Sequence, residues 1–228
     1  MNRFHECIAD SGQDDDAVCF YISSLGQFAS VVDWRMEEHV ETLLQLLLDR
    51  WNEGLEPSSC IPNCITSIAE AVRGCFRLGL RIVYPKMTSV LHDPDTPEAT
   101  TLAILRFIQT QAIILREWAA ITIPALVDVL LRPSAAAQNL ALEVLIVLAN
   151  NLYISPQLSR IMPVLVKLTK RAETANEATK TICCLAKECG RDAMPFIHAF
   201  EKQLSFFIWD HPYYLDYKEG SGRDSDAR

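Results

Sequence analysis

Four prolines constrain this chain more than any other feature. Pro85, Pro124, Pro163 and Pro195 open the segments PKMTSVL, PALVDVL, PVLVKLT and PFIHAFE, at intervals of 39, 39 and 32 residues. A bulky apolar residue precedes each one: Tyr84, Ile123, Met162 and Met194. Another follows two places on (Met87, Leu126, Leu165, Ile197) and a third five places on (Val90, Val129, Leu168, Phe200). Those offsets share one helical stripe. Proline suits a first helical turn, where its missing N–H would be unpaired anyway, so each segment is expected to start a helix at its proline. A period near forty residues is that of a repeated helix pair. One such pair cannot bury its own apolar stripe, so neighbours must stack to make a continuous core.

Each proline helix is followed by a polar break and a second helix. In residues 84–111 the first helix ends near His92, and the turn is Asp93-Pro94-Asp95-Thr96-Pro97. Asp and Pro favour such a reversal. The second helix carries Leu102, Leu105, Phe107 and Ile108. The next unit pairs a helix from Ile123 with residues 135–150 across Arg132-Pro133-Ser134, and the next pairs a helix from Met162 with residues 177–189. Upstream, residues 34–51 read as one strong helix, with residues 62–80 as its partner. Residues 17–32 read as a second helix whose first helix is short or degenerate. Residues 194–209 read as a first helix without a clear partner. The expected architecture is all-α: about four antiparallel pairs with half-units at both ends, in a solenoid over 17–209. A polar segment (1–16) precedes it and an aromatic, then polar and disordered, tail (210–228) follows.

Composition agrees with a helical globular chain. Of 228 residues, half are hydrophobic, 22% are charged and only eight are glycine. The net charge is −8 and the isoelectric point is near 5.1. Gripping nucleic acid requires clustered Lys and Arg, and no such cluster is present. An anionic membrane surface is disfavoured for the same reason. The start of the chain lacks the basic and apolar regions of a secretory signal. The long apolar stretch 119–131 is interrupted by Pro124 and Asp128 and falls short of the roughly 20 residues of a membrane span. These features imply a soluble intracellular protein without direct membrane insertion.

The unit at residues 84–111 resembles a HEAT repeat, with Pro85 in its first helix, Asp93 and Asp95 in its turn, and a second helix rich in Ala, Leu and Ile. It departs from the pattern where a Val-Arg pair usually opens the second helix; Glu98 and Ala99 stand there. The order of segments also resembles the N-terminal HEAT-repeat region of the target of rapamycin (TOR) serine/threonine protein kinases. The segments are 20–48, 68–91 with its Tyr84-Pro85 step, 118–131, 154–168 and 191–204, and the similarity spans about residues 17–217. Leu25-Gly26 and the step Ser159-Arg160-Ile161-Met162-Pro163 carry most of it. The resemblance implies a cytoplasmic scaffold in nutrient and growth signalling, with nuclear or endomembrane association through partners. It further implies adaptor subunits, or the remaining repeats of a larger kinase assembly, as partners. The alternative is a freestanding HEAT adaptor, such as a nuclear transport receptor or a phosphatase scaffold subunit.

No catalytic motif is legible. The glycines form neither a G-x-G-x-x-G nor a P-loop pattern, and no nucleophile elbow or kinase motif is present. Cys60 and Cys64, and Cys183, Cys184 and Cys189, are the only close cysteine groups; neither has a nearby histidine, so they read as core thiols. His39, among Glu37, Glu38 and Glu41, reads as a surface residue, while His198 is open to either face. No enzyme activity, cofactor or metal is expected.

Function is therefore expected on surfaces. The segment 36–50 is acidic outside and leucine-rich inside, which describes a solvated face over a core stripe, with an acidic docking strip as the sharper alternative. The run LSFFIWDHPYYLDY is the stronger candidate. A terminal repeat needs a polar outer face, and this one is apolar. Phe206, Phe207, Trp209, Tyr213 and Tyr214 are the expected protein-interface anchors, against another chain or a further repeat rather than as a folded-back cap.

Overall fold

The computed structural model describes residues 2–9, 14–55 and 58–199. Helices joined by short turns make up these residues, with no strand among them. The chain divides into two compact units, Met1–Leu115 and Arg116–Arg228.

The first unit holds α1 (Asn2–Ala9), α2 (Asp15–Val32), α3 (Val40–Asn52), α4 (Cys60–Val72), α5 (Arg77–His92) and α6 (Glu98–Thr110). Each odd helix packs on the even helix that follows it. In addition α1 packs on α3 and α3 on α5, while α2 packs on α4 and α4 on α6. The unit is thus three hairpins in two layers, with first helices on first and second helices on second. The second unit holds α7 (Ala119–Leu131), α8 (Ala135–Asn151), α9 (Leu158–Leu168) and α10 (Ala175–Cys189), followed by helical residues 194–199. Its contacts follow the same scheme: α7 with α8, α9 with α10, α7 with α9, and α8 with α10.

The stripes read from the prolines lie where the pattern puts them. Tyr84, Met87, Ile123, Leu126, Val129, Met162, Leu165 and Leu168 are all buried, and Val90 is half-buried. The largest fully buried side chains in the first unit are Tyr84, Phe76 and Phe107. The Phe107 ring meets Phe76 edge-on at 6.0 Å and Tyr84 at 6.5 Å.

Helix starts differ from the sequence reading. Pro85 is the ninth residue of α5, and Pro124 and Pro163 are the sixth residues of α7 and α9. Each first helix begins upstream, directly after a 3₁₀ turn: Arg73–Phe76, Ile114–Trp118 or Ser155–Gln157. An interior proline deprives the carbonyl four residues back of its donor. Those carbonyls belong to Arg81, Ala120 and Ser159, which are all exposed, so the missing bond falls on the solvent side of each helix. Only Pro195, second in the helical run 194–199, sits in a first turn as expected.

Three further differences have local causes. Residues 34–51 are not one helix: a 3₁₀ segment, Asp33–His39, precedes α3. Residues 62–80 are broken at Arg73, which ends α4, so 77–80 belong to α5. Finally, the N-terminal segment contains a helix. Ile8 of α1 is fully buried, and Arg50 Nε donates to the Ile8 carbonyl, so α1 is the first helix that pairs with α2.

The breaks share one conformation. Asp33, Arg73 and Gly190 close α2, α4 and α10 at φ/ψ of 56°/−142°, 47°/−118° and 52°/−121°. Each donates its N–H to the carbonyl of an alanine four residues back: Ala29, Ala69 or Ala186. That backbone is the first central position of a type II′ turn, and it redirects the chain into the next module.

Candidate protein-interaction surfaces

The five aromatic residues singled out from the sequence, Phe206, Phe207, Trp209, Tyr213 and Tyr214, lie outside the described residues. The exposed faces of the described residues lie elsewhere.

The first is the outer face of α2. Its buried face (Val18, Ile22, Leu25, Ala29) seats the helix on its neighbours, and the opposite face carries Phe20 and Val31. Phe20 is 68% exposed, Val31 82%, and Trp34 in the following turn 65%. Phe28, more than a third exposed, leans on Phe4 of α1 at 5.6 Å. Phe20 lies edge-on to Tyr21 at 5.9 Å, and the Arg35 guanidinium stands 6.0 Å from the centre of the Trp34 ring. Exposed aromatic side chains such as Phe20 and Trp34 are of the kind that anchor protein interfaces.

The second is a groove of about 430 Å³ between α3 and α5, together with the turns that lead into them. Glu37, Val40 and Glu41 form one wall, and Cys75, Leu78, Arg81 and Ile82 the other. Glu37, Glu38 and Glu41 are exposed, while Met36, Val40, Leu43, Leu44 and Leu47 are buried, which is the solvated face over a core stripe. The Glu37 carboxylate accepts from the Cys75 thiol and thereby pushes that thiol up. His39 is exposed, as its charged neighbours suggest, and so is His198.

The second-helix layers carry two smaller, more polar grooves. One, of about 240 Å³, runs between α2 and α4 and is lined by Ser23, Gly26, Ser30, Cys60, Cys64 and Ser67, among others. Gly26 allows the close approach of these helices: a Cβ there would stand 3.4 Å from the Cys64 Cα. The other, of about 180 Å³, lies between α8 and α10 beside Asn150, Lys180, Cys184 and Lys187. Lys180 is paired with Glu177 at 2.7 Å.

The cysteines divide by depth. Cys19, Cys60, Cys64 and Cys183 are buried, Cys7, Cys184 and Cys189 are half-buried, and Cys75 is exposed. Burial pushes the Cys64 thiol up to about 12 and that of Cys183 to about 11, and drives Cys60 in the same direction. Such thiols stay protonated and are poor nucleophiles at neutral pH. Among the described residues no group of three or more His, Cys, Asp or Glu is placed to hold a metal ion. No helix among them is long and apolar enough to cross a membrane.

Sequence reasoning missed two features. One is the exposed face of α2, hidden because an apolar residue at an exposed position looks like any other core candidate. The other is the thiol contact between Cys19 and Cys60, whose separation of 41 residues is close to the module period and was the available signal. No protein-family model matches the chain.

Proposed function

We propose that the chain is a non-catalytic, HEAT-type α-solenoid scaffold that binds other proteins through exposed helix faces. The observation that carries the reading is the stacking within each unit, first helix on first and second on second, which is how repeat arrays extend a core. The exposed Phe20, Val31 and Trp34 support a binding role for the α2 face. In its more specific form the reading is a segment like the N-terminal solenoid of a TOR-type kinase, acting in the cytoplasm in nutrient and growth signalling. That form rests on the resemblance of its segments and their order.

The test is quantitative affinity purification of the intact chain beside a Phe20→Ser/Val31→Ser/Trp34→Ser variant whose helicity is unchanged by circular dichroism. A set of proteins lost selectively from the variant supports the scaffold reading; equal recovery with both baits overturns the α2 assignment. Co-purifying subunits of a growth-signalling kinase support the specific form, whereas transport factors or phosphatase subunits replace it with the freestanding adaptor.

A further inference from the structure

We propose that Cys19 and Cys60 form a modification site, a dithiol that oxidises to a disulfide joining α2 to α4. The Sγ atoms stand 3.3 Å apart with one hydrogen between them. A disulfide needs about 2.05 Å, so the sulfurs close the difference by small side-chain rotations. The helices already approach tightly at Gly26, so the backbones need not travel far. Cys60 opens α4 and lines the 240 Å³ groove, which gives a small oxidant a route to its sulfur. Cys64 lines the same groove but lies one turn along the same helix, where i,i+4 geometry keeps the two sulfurs from bonding without unwinding it. The spacing of 41 positions from Cys19 to Cys60 places the bond between successive second helices, so it would fasten one module to the next.

The oxidant is a peroxide. The Cys60 thiolate attacks one oxygen of hydrogen peroxide, the O–O bond breaks, and hydroxide leaves from a sulfenic acid. Cys19 sulfur then attacks the sulfenic sulfur, the S–O bond breaks, and the departing hydroxide takes the Cys19 proton as water. In sum, two thiols and one peroxide give one disulfide and two waters. Only the thiolate reacts in the first step, and burial keeps Cys60 protonated, so formation is slow at neutral pH and quickens about tenfold per pH unit. The site therefore records sustained oxidation rather than a brief pulse.

The experiment treats the purified full chain with excess hydrogen peroxide at pH 7 and pH 9, blocks remaining thiols, and maps peptides by non-reducing mass spectrometry. The expected product is a single cross-link between the Cys19 and Cys60 peptides, two hydrogens lighter than the sum. The thermal midpoint should rise by roughly 5–10 °C and return on reduction. Cys64→Ser should form the link normally, while Cys60→Ser should not. Two controls keep the result decisive: the urea-unfolded chain, which pairs its eight cysteines without preference, and the untreated chain. Cys60 oxidised to the sulfinic acid with no link, a link to another cysteine, or the same mixture as in urea would each overturn the proposal.

Discussion

Arg73 and Gly190 occupy the same backbone conformation at the same point of their modules, 117 residues or three 39-residue steps apart. At Gly190 the positive φ, 52°, suits a residue without a side chain; at Arg73 a φ of 47° is imposed on one that has it. The two positions should respond oppositely to exchange. Arg73→Gly should stabilise the fold by about 1 kcal/mol, and Gly190→Ala should destabilise it by about 1–2 kcal/mol. Nothing lies within 4 Å of a Cβ built at Gly190, so its cost would be backbone strain alone. Urea unfolding of both variants checks the pair; a loss at both positions would remove the shared-turn explanation.

A second repeat lies in the turn between first and second helices. Thr96 Oγ1 donates to the Val90 carbonyl at 2.7 Å, and Thr174 Oγ1 to the Leu168 carbonyl at 3.0 Å. Both bonds join the positions five and eleven places after a proline. The module between them has Ala135 at the matching place, and there Gln138 donates to the carbonyls of Leu130 and Arg132 instead. Thr174→Val keeps the shape and leaves the Leu168 carbonyl only the Arg171 N–H, at a cost of about 0.5–1.5 kcal/mol; Gln138→Leu removes two such bonds and should cost more. Chemical denaturation ranks them, and equal stability of all three proteins would contradict the role.

Phe107 is fully buried between Phe76 and Tyr84. Phe107→Ala should cost about 3–5 kcal/mol, from lost transfer energy and the cavity left behind. A drop below about 1 kcal/mol in an equilibrium unfolding series would mean that the site collapses around the gap.

The buried thiols predict a pH dependence. An ordinary thiol titrates at 9.0, while Cys64 is pushed up to about 12 and Cys183 to about 11 by burial. Between those values the unfolded chain has lost protons that the folded chain keeps, so stability declines as pH rises. The contribution is fully present below pH 9 and fades through pH 11–12, at a limit of about 1.4 kcal/mol per pH unit for each thiol. Comparing unfolding midpoints at pH 8 and pH 10.5 in the parent and in Cys64→Ala isolates one group: the variant should show the shallower decline.

Arg50 joins the first hairpin to the second. It is buried, and besides its bond to Ile8 it holds Glu53 at 2.7 Å. Arg50→Met should raise amide exchange across α1 by about tenfold while leaving α4–α6 unchanged, because a charged hydrogen bond contributes about 1.5–3 kcal/mol. Hydrogen-exchange mass spectrometry resolves the two regions, and uniform protection would contradict the tether.

Which faces of these helices lie inside is already set by the spacing of apolar residues. Of the apolar offsets from Pro85, Pro124 and Pro163 all but the half-buried Val90 are buried, as are the inward leucines of α3, because a 3.6-residue period specifies a face whatever the helix later meets. Helix ends were not legible in that way. Where α4 stops depends on one backbone angle at Arg73, and where α7 and α9 start depends on 3₁₀ turns upstream of the prolines. These choices involve few residues and weak propensities, and tertiary contacts override them. The same division holds for the surfaces. The acidic side of α3 could be read from its glutamates, whereas its groove with α5 and the Cys19–Cys60 contact join residues about forty places apart. Only the stacking of one hairpin on the next decides which of them meet.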